Sequence, residues 1–132
     1  MLFREGLGMT VQAVFPNSHI SYAGSWTEVH QHAENKLYDM MLLDICMPRN
    51  LAWEEELRII MQNNPQSIIC IISATLKKSF VKLTYNLGVK GYICKTIEPN
   101  KMKKALLGMS MGETCFPPQI DLDNSVYDNF AH

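Results

Sequence analysis

Two kinds of hydrophobic pattern alternate along the chain. Apolar residues that recur three and four positions apart predict five amphipathic helices, over residues 2–15, 25–37, 52–64, 75–88 and 98–112. Short β-prone segments between them predict four strands, over residues 19–24, 38–45, 67–73 and 90–95. Helices and strands therefore alternate over most of the chain.

Residues typical of helix ends support these boundaries. Ser25 and Glu28 are three positions apart, the spacing of a capping box at the start of a helix. Thr75 is a candidate N-cap, and Gly88 follows the last turn of the same predicted helix. Pro99 lies in the first turn of the final helix, where a missing N–H has no cost.

The strands indicate the fold class. Residues 40–43 and 68–72 are apolar without interruption, a pattern typical of parallel strands that are covered on both faces. Strands that alternate with helices imply right-handed crossovers and a parallel sheet with helices on both faces. The sequence therefore predicts a doubly wound α/β domain.

Three predicted strands have a polar residue at or next to their carboxyl end, namely Asp44, Ser73 and Lys95. In a doubly wound sheet the carboxyl ends of the strands line the ligand crevice, so these side chains are expected at one edge. A carboxylate can accept a phosphoryl group as a nucleophile. An ammonium and a hydroxyl can then bind the phosphoryl oxygens. Asp44 is thus interpreted as lying at a polar mouth and not in the core.

Composition excludes several other classes of protein. The chain has 132 residues, 47% hydrophobic and 19% charged, with a net charge of −1. This is typical of one globular domain, and it gives no sign of a bulk electrostatic partner such as a nucleic acid or an anionic membrane. No apolar stretch approaches the roughly 20 residues of a membrane-spanning helix. The first residues carry charges where a signal peptide would be apolar.

Cysteines and histidines predict no metal centre. Cys46, Cys70, Cys94 and Cys115 are far apart with no CxxC pair, and we interpret them as free thiols in a reducing cytoplasm. The first three are predicted to be small buried residues of the core. The histidines at positions 19, 30 and 32 are interpreted as surface residues.

Five motifs together resemble a known family. They are LFREGL at 2–7, YDMMLLDICMP at 38–48, IISA at 71–74, LGVKGYICK at 87–95 and GETCFPP at 112–118. In this order and spacing they resemble the receiver domain of two-component response regulators of the NarL/LuxR transcription-factor type. The resemblance covers residues 1–118 and implies a flavodoxin-like sheet.

The resemblance also implies roles for individual residues. Asp44 would be the phospho-acceptor and Ser73 the switch hydroxyl. Lys95 would correspond to the invariant lysine of the family. The backbone carbonyl of Cys46 would be a ligand of Mg²⁺. Tyr92 would be an aromatic rotamer switch, with simple core packing as the alternative.

The chain departs from the family pattern in two places. Receivers of this type begin with a central strand that ends in two acids, and this sequence starts after it, at Met1. Glu5 lies within the first predicted helix and does not replace them. The glycine-containing turn after the Met-Pro is replaced by RNLAW at 49–53. We therefore expect weak Mg²⁺ binding, because Mg²⁺ requires near-octahedral oxygen ligation, and slow or absent phosphorylation.

The missing strand also affects the expected assembly. Its loss would leave two strand edges without partners. Either residues 19–23 shift inward to pair with residues 39–45, or another chain fills the gap, and we favour the second, a homodimer. A misassigned start at Met1 is a further alternative. The resemblance implies a sensor histidine kinase as partner, and DNA binding only through an output domain that these residues lack. Residues 1–118 are predicted to form the receiver-like domain, and residues 119–132 a linker or loosely held tail.

Three functional hypotheses follow. The first is a phospho-accepting switch, and the second is a degenerate receiver that acts through protein contacts alone. The third, an unrelated enzyme or nucleotide-binding protein, is disfavoured because the sequence has no GxGxxG, GxxxxGK[ST] or GxSxG motif.

Overall fold

A computed structural model describes the backbone of residues 2–117 and the side chains of residues 7–117. Five helices are present in this part of the chain: α1 (Leu2–Val14), α2 (Trp26–Asn35), α3 (Trp53–Asn63), α4 (Lys78–Leu87) and α5 (Pro99–Ser110). Three strands lie between them: β1 (Met40–Asp44), β2 (Ile68–Ser73) and β3 (Gly91–Cys94). The predicted tail, residues 119–132, lies outside the described residues.

The three strands form one parallel sheet in the order β1-β2-β3. Asp44 is in register with Ile72, and Ser73 with Cys94, so the polar residues at the strand ends lie at the same edge. Helix α3 connects the first two strands and α4 the last two. This confirms the predicted α/β fold with a parallel sheet.

Helices cover the sheet on both faces. One core combines residues of all three strands with α2, α3 and α4, and its largest buried members are Trp26, Trp53, Leu57, Ile60, Ile71 and Tyr92. The other combines β2 and β3 with α1 and α5, around Ile72, Ile93, Met102, Leu106 and Met109. Side chains that alternate along each strand supply both cores, and for this reason the strands are apolar throughout.

Most of the predicted helix boundaries are correct. The hydroxyl of Ser25 accepts the amide hydrogen of Glu28 at 3.2 Å, which confirms the cap of α2. Gly88 ends α4 in the left-handed conformation with φ 103°, and Pro99 is in the first turn of α5. The prediction for Thr75 is wrong. Helix α4 begins three residues later, and the Thr75 hydroxyl accepts the N–H of Lys77 in the preceding loop.

The predicted strand at 19–24 is also wrong. These residues form no ladder, and within residues 2–117 β1 pairs only with β2. A strand is stable only when a neighbour accepts and donates its backbone hydrogen bonds. The segment instead contacts its surroundings through single bonds, from the Tyr38 hydroxyl to Ser21 and from His32 to the carbonyl of Tyr22.

The opposite edge of the sheet contains a pairing that the sequence pattern did not predict. Cys115 forms an isolated parallel bridge with Gly91, with its N–H donated to Lys90 and its carbonyl accepting from Tyr92, both at 2.9 Å. The chain after α5 therefore returns to the edge of β3. None of the helices described has the length and hydrophobicity that a membrane crossing requires.

Candidate functional site

Asp44 lies at the carboxyl end of β1, where the apolar strand reaches the surface. Its side chain is 26% exposed. One carboxylate oxygen, Oδ1, accepts the backbone N–H of Cys46 at 2.8 Å. The acid therefore sits at the edge of the sheet, with water and one backbone donor to stabilise its charge.

Lys95 directly follows β3 and reaches the same carboxylate. Its Nζ lies 2.5 Å from Oδ2 of Asp44, and its side chain is 28% exposed. The two residues belong to strands that are not neighbours, because β2 lies between them. Strand spacing predicts a separation of about 10 Å between their backbones, and the long lysine side chain spans most of this distance.

Ser73 ends the middle strand at the same edge. Its side chain is fully buried, and its Oγ accepts the backbone N–H of Thr75 at 3.1 Å. Its backbone carbonyl accepts the N–H of Lys95 at 2.8 Å. The hydroxyl thus holds the start of the β2–α4 loop, while the backbone of the same residue anchors the lysine.

Tyr92 is buried in β3, on the face covered by α2, α3 and α4. Its hydroxyl donates to the carbonyl of Thr75 at 2.8 Å. Burial raises the pKa of this phenol, and the nearby Ser73 hydroxyl opposes the rise without cancelling it. Ser73 and Tyr92 therefore both bind the backbone of the same loop residue.

These residues form two groups on opposite sides of the sheet plane. Asp44 is in register with Ile72, which packs against α1 and α5, whereas Tyr92 packs on the other face. Asp44 and Lys95 form one group through their ion pair. Because side chains alternate along a strand, Ser73 and Tyr92 form the other group. The backbone hydrogen bond from Lys95 to Ser73 joins the two groups.

Two thiols flank this edge. Cys46 is exposed, and Cys94 is half-buried with its Sγ 3.1 Å from the hydroxyl of Thr96. Hydrogen bonds from the side chain and backbone of Thr96 lower the pKa of Cys94, and burial only partly offsets this. Cys70 lies in the interior, where burial raises its pKa. All four cysteines are unbridged. Of the three that were predicted to be buried, only Cys70 is; the prediction is wrong for Cys46, which is exposed, and for Cys94, which is half-buried.

The donors present fit Mg²⁺ poorly. In the part of the chain with described side chains, no group of three or more His, Cys, Asp or Glu residues converges as a metal site. The ligands implied by the resemblance are one carboxylate, that of Asp44, and one carbonyl, that of Cys46. Mg²⁺ needs six oxygen ligands in near-octahedral geometry, several of which can be water. These two donors alone are too few to hold it tightly, and Lys95 already neutralises the carboxylate.

Two polar residues near the site were not identified from the sequence. Thr75 binds Tyr92 through its backbone carbonyl, which no sequence pattern reveals. Glu56 is buried and lies 2.9 Å from His30, which is itself only half-exposed and is not a simple surface histidine. A signal for Glu56 exists, because this acid falls on the apolar stripe of α3 beside Trp53 and Leu57.

A scan against protein-family models matches residues 3–107 to the response regulator receiver domain. The search of curated proteins found no match.

Solved structures share the fold. A LuxR-family DNA-binding response regulator from Silicibacter pomeroyi superposes with a TM-score of 0.75 at 20% identity, over 89% of this chain and 88% of that one. The non-phosphorylated receiver domain of the stress response regulator RcsB from Escherichia coli gives 0.77 at 14% identity, over 88% and 90%. A structure of two RcsB dimers bound to two parallel DNAs gives 0.77 at 14% identity, over 90% of this chain and 60% of that one.

Proposed function

The chain belongs to the response regulator receiver domain family, and from this premise we propose that Asp44 accepts a phosphoryl group from a sensor histidine kinase. The observation that carries the proposal is the contact of Lys95 Nζ with Asp44 Oδ2 at the carboxyl edge of the sheet. A nucleophilic carboxylate and a cation that can bind phosphoryl oxygens are together there. The domain is a signalling module and not an enzyme that turns over a separate substrate.

The chemical step needs few protein groups. A carboxylate oxygen of Asp44 attacks the phosphorus of the kinase phosphohistidine, the P–N bond breaks, and its electron pair leaves with the imidazole. The product is an aspartyl phosphate. Charge on the three equatorial oxygens of the transferring group is the main quantity to stabilise. Lys95 moves from the carboxylate to one of these oxygens, a short displacement for a flexible side chain.

Ser73 and Tyr92 couple this step to the surface. The Ser73 hydroxyl is bound to the β2–α4 loop through the amide of Thr75. The hydroxyl hydrogen of Ser73 can be donated to an oxygen of a phosphoryl group on Asp44, which is a charged acceptor at the same edge of the sheet. A shift of Ser73 would move Thr75 and, with it, the carbonyl that Tyr92 binds. Through this chain of contacts phosphorylation changes the surface near α4.

Mg²⁺ is the expected cofactor of this step in the family. In this chain Asp44 and the carbonyl of Cys46 would hold it, with water in the remaining positions. When bound, the ion neutralises charge on the phosphoryl group. Because these two donors are few, we expect the affinity to be weak and phosphorylation to be slow.

Assembly and location follow from the same premise. We propose that the domain belongs to a transcriptional regulator of the LuxR/NarL type, forms a homodimer through receiver surfaces, and reaches DNA only through a separate output domain. The RcsB dimers on DNA described above support this assembly. The cytoplasm, the usual location of response regulators, is the expected compartment.

A second candidate is a degenerate receiver that acts by phosphorylation-independent dimerisation or partner binding. The observation that favours it is the same ion pair, since Lys95 already neutralises Asp44. Among the residues with described side chains, no group of three or more His, Cys, Asp or Glu residues forms a metal site. The domain would then present fixed contact surfaces.

Intact-mass spectrometry distinguishes the two candidates. The protein is incubated with acetyl phosphate and Mg²⁺, and the gain of one phosphoryl group is measured in wild type, Asp44→Asn and Asp39→Asn. Asp39 is an exposed acid just before β1 and serves as the matched control. A gain that only Asp44→Asn loses supports phospho-acceptance. No gain in any of them, or a gain that persists in Asp44→Asn, contradicts it.

A further inference from the structure

Glu56 is the one charged side chain that is buried in the described part of the chain, with 4% of its surface exposed. It lies in the first turn of α3, where the N-cap Ala52 offers no side-chain hydrogen bond. A buried carboxylate is costly unless hydrogen bonds compensate for the water that it loses. Its partners therefore indicate what the buried charge does.

Those partners tie two separate segments together. Oε1 lies 2.9 Å from Nε2 of His30 on α2, and Oε2 accepts the backbone N–H of Asn50 at 3.2 Å. The N–H of Leu51 also interacts with the carboxylate. Burial raises the pKa of Glu56, but the hydrogen bonds from His30, Asn50 and Leu51 together outweigh it and leave the pKa below its ordinary value.

Helix α2 holds the same loop at two more points. The N–H of Trp26 donates to the carbonyl of Pro48 at 3.0 Å. The side-chain amide of Asn50 donates to the hydroxyl of Thr27 at 3.3 Å. Residues 48–51 are thus held between α2 and Glu56, although this loop is largely exposed and has no regular structure of its own.

The loop continues directly from the site of Asp44. The N–H of Cys46 donates to the Asp44 carboxylate, and the N–H of Met47 lies 3.3 Å from the Asp44 carbonyl. The 48–51 segment directly follows Cys46 and Met47 and their hydrogen bonds to Asp44. A displacement of residues 48–51 would therefore move these two backbone donors.

From this geometry we infer that Glu56 is a positioning residue, which with His30 holds the loop after β1 so that Cys46 stays in place against Asp44. The inference rests on the proposed function, because the reaction that it serves is phosphoryl transfer to Asp44. Glu56 itself does not contact the reacting atoms. Its contribution is to keep the backbone N–H of Cys46 hydrogen-bonded to the carboxylate of Asp44.

The test compares Glu56→Gln with Glu55→Gln. Glutamine has the shape of glutamate but no charge and only one accepting oxygen. It therefore weakens the hydrogen bond from the Asn50 N–H, and it can keep His30 only by donating its NH2 to the other tautomer of the ring. Glu55 is the matched control, since it lies next along α3, is half-exposed and pairs with Arg58. Two quantities are measured: hydrogen exchange of the Asn50 and Leu51 amides, and the rate of Asp44 phosphorylation over a range of acetyl phosphate concentrations.

For Glu56→Gln we expect exchange of both amides to be about tenfold faster, the factor for one ordinary hydrogen bond. The maximal rate of phosphorylation should fall by a similar factor, while the acetyl phosphate concentration at half-maximal rate stays unchanged. Glu55→Gln should change neither. His30→Ala, at a position on the rim of the core, should produce a smaller effect in the same direction and can be used if Glu56→Gln does not fold.

Unchanged exchange in both Glu56→Gln and His30→Ala overturns the inference. So does a fall in rate that Glu55→Gln shares, or one that appears only as a higher half-maximal concentration. If wild type takes up no phosphate at all, the proposed function fails. The exchange measurement then still decides whether Glu56 holds the loop.

Discussion

The ammonium of Lys95 and the carboxylate of Asp44 are in contact at 2.5 Å although their strands, β3 and β1, are separated by β2. The lysine side chain crosses the end of the middle strand to reach the carboxylate. The contact therefore exists only if all three strands have the observed order and register. For this reason the ion pair depends on correct assembly of the sheet as well as contributing to the chemistry of the site.

Lys95→Met should separate these two contributions. Both side chains are about three-quarters buried, and we expect a loss of stability of about 1 kcal/mol or less, because partly solvated ion pairs contribute little. Phosphorylation by acetyl phosphate should fall much further, since no other described side chain is paired with this carboxylate. Urea unfolding and intact-mass kinetics measure the two effects. Lys101→Met, at an exposed position of α5, is the control, and an equal rate in the two variants would contradict the role of Lys95.

Ser73→Ala should destabilise the domain through the β2–α4 loop. The change removes the oxygen that accepts the Thr75 amide, and one hydrogen bond of this kind contributes about 1 kcal/mol. Urea unfolding at neutral pH measures the loss. Ser110→Ala removes a hydroxyl from an exposed position of α5 and should have a smaller effect. If both variants lose the same free energy of unfolding, the buried hydrogen bond of Ser73 contributes no more to stability than the exposed one of Ser110.

Tyr92 should make stability depend on pH in the alkaline range. The pKa of its phenol is raised above the ordinary value of 10.0, chiefly by burial. Between the ordinary and the raised pKa the unfolded phenol is ionised and the folded one is not, so the free energy of unfolding falls as pH rises through this window. Below the ordinary pKa this contribution is constant.

Urea unfolding at several pH values on both sides of this window measures the effect. Tyr92→Phe should reduce this dependence and also lose the hydrogen bond to Thr75. The part that remains comes from the thiols of Cys70 and Cys115, because burial raises the pKa of both as well. Tyr85→Phe, at a more exposed position on α4, should retain the dependence of wild type. An alkaline dependence of the same size in Tyr92→Phe and wild type would contradict the role of Tyr92.

Cys94 should be alkylated faster than an ordinary half-buried thiol, because Thr96 lowers its pKa and increases the thiolate fraction at neutral pH. Thr96→Val removes the hydroxyl and should slow the reaction with iodoacetamide. Peptide mapping by mass spectrometry gives the rate at each cysteine. Cys46 in the same molecule is the internal control and should be unaffected, whereas buried Cys70 should not react. Equal slowing at Cys46 and Cys94 would indicate a general structural change.

Gly91→Ala should destabilise the far edge of the sheet. A Cβ at this position would lie 2.7 Å from Sδ of Met109, 3.0 Å from Sγ of Cys70 and 3.2 Å from the carbonyl oxygen of Cys115. The thioether can move, but that carbonyl is bound to the N–H of Tyr92. Overpacking of this kind costs about 1–3 kcal/mol.

Thermal or urea unfolding measures this loss, and Met109→Ala tests its source. If Met109 were the only obstacle, Gly91→Ala would cost nothing in the Met109→Ala background. We expect part of the cost to remain, because the Cys115 backbone is unchanged. A Gly91→Ala variant as stable as wild type would show that the edge is more adaptable than its contacts suggest.

Local features were predictable because their causes are local. The cap formed by Ser25, the left-handed end of α4 at Gly88 and the first turn at Pro99 each depend on residues within one turn of helix. The continuous apolar runs identified β1 and β2 for a similar reason, since a strand covered on both faces needs apolar residues at every position. The same runs place Asp44 and Ser73 at the strand ends.

Features that depend on a distant partner were not predictable. Residues 19–24 have the composition of a strand but form no ladder with any strand in the described part of the chain. Cys115 follows an irregular segment yet pairs with Gly91. A hydrogen-bonded ladder needs two segments, and the sequence of one does not reveal whether the other is in reach.

By itself, then, the sequence determined that this is an α/β domain with a parallel sheet. It also determined that an acid, a hydroxyl and an amine lie at the ends of the strands. Both follow from the periodicity of neighbouring side chains, which depends only on consecutive residues. Only the tertiary structure decided that Lys95 reaches over β2 to Asp44, that Ser73 and Tyr92 share Thr75 on the other face, and that Glu56 binds the loop after β1. Those contacts depend on the register and direction of packed elements, and these arise from the packing of the whole chain.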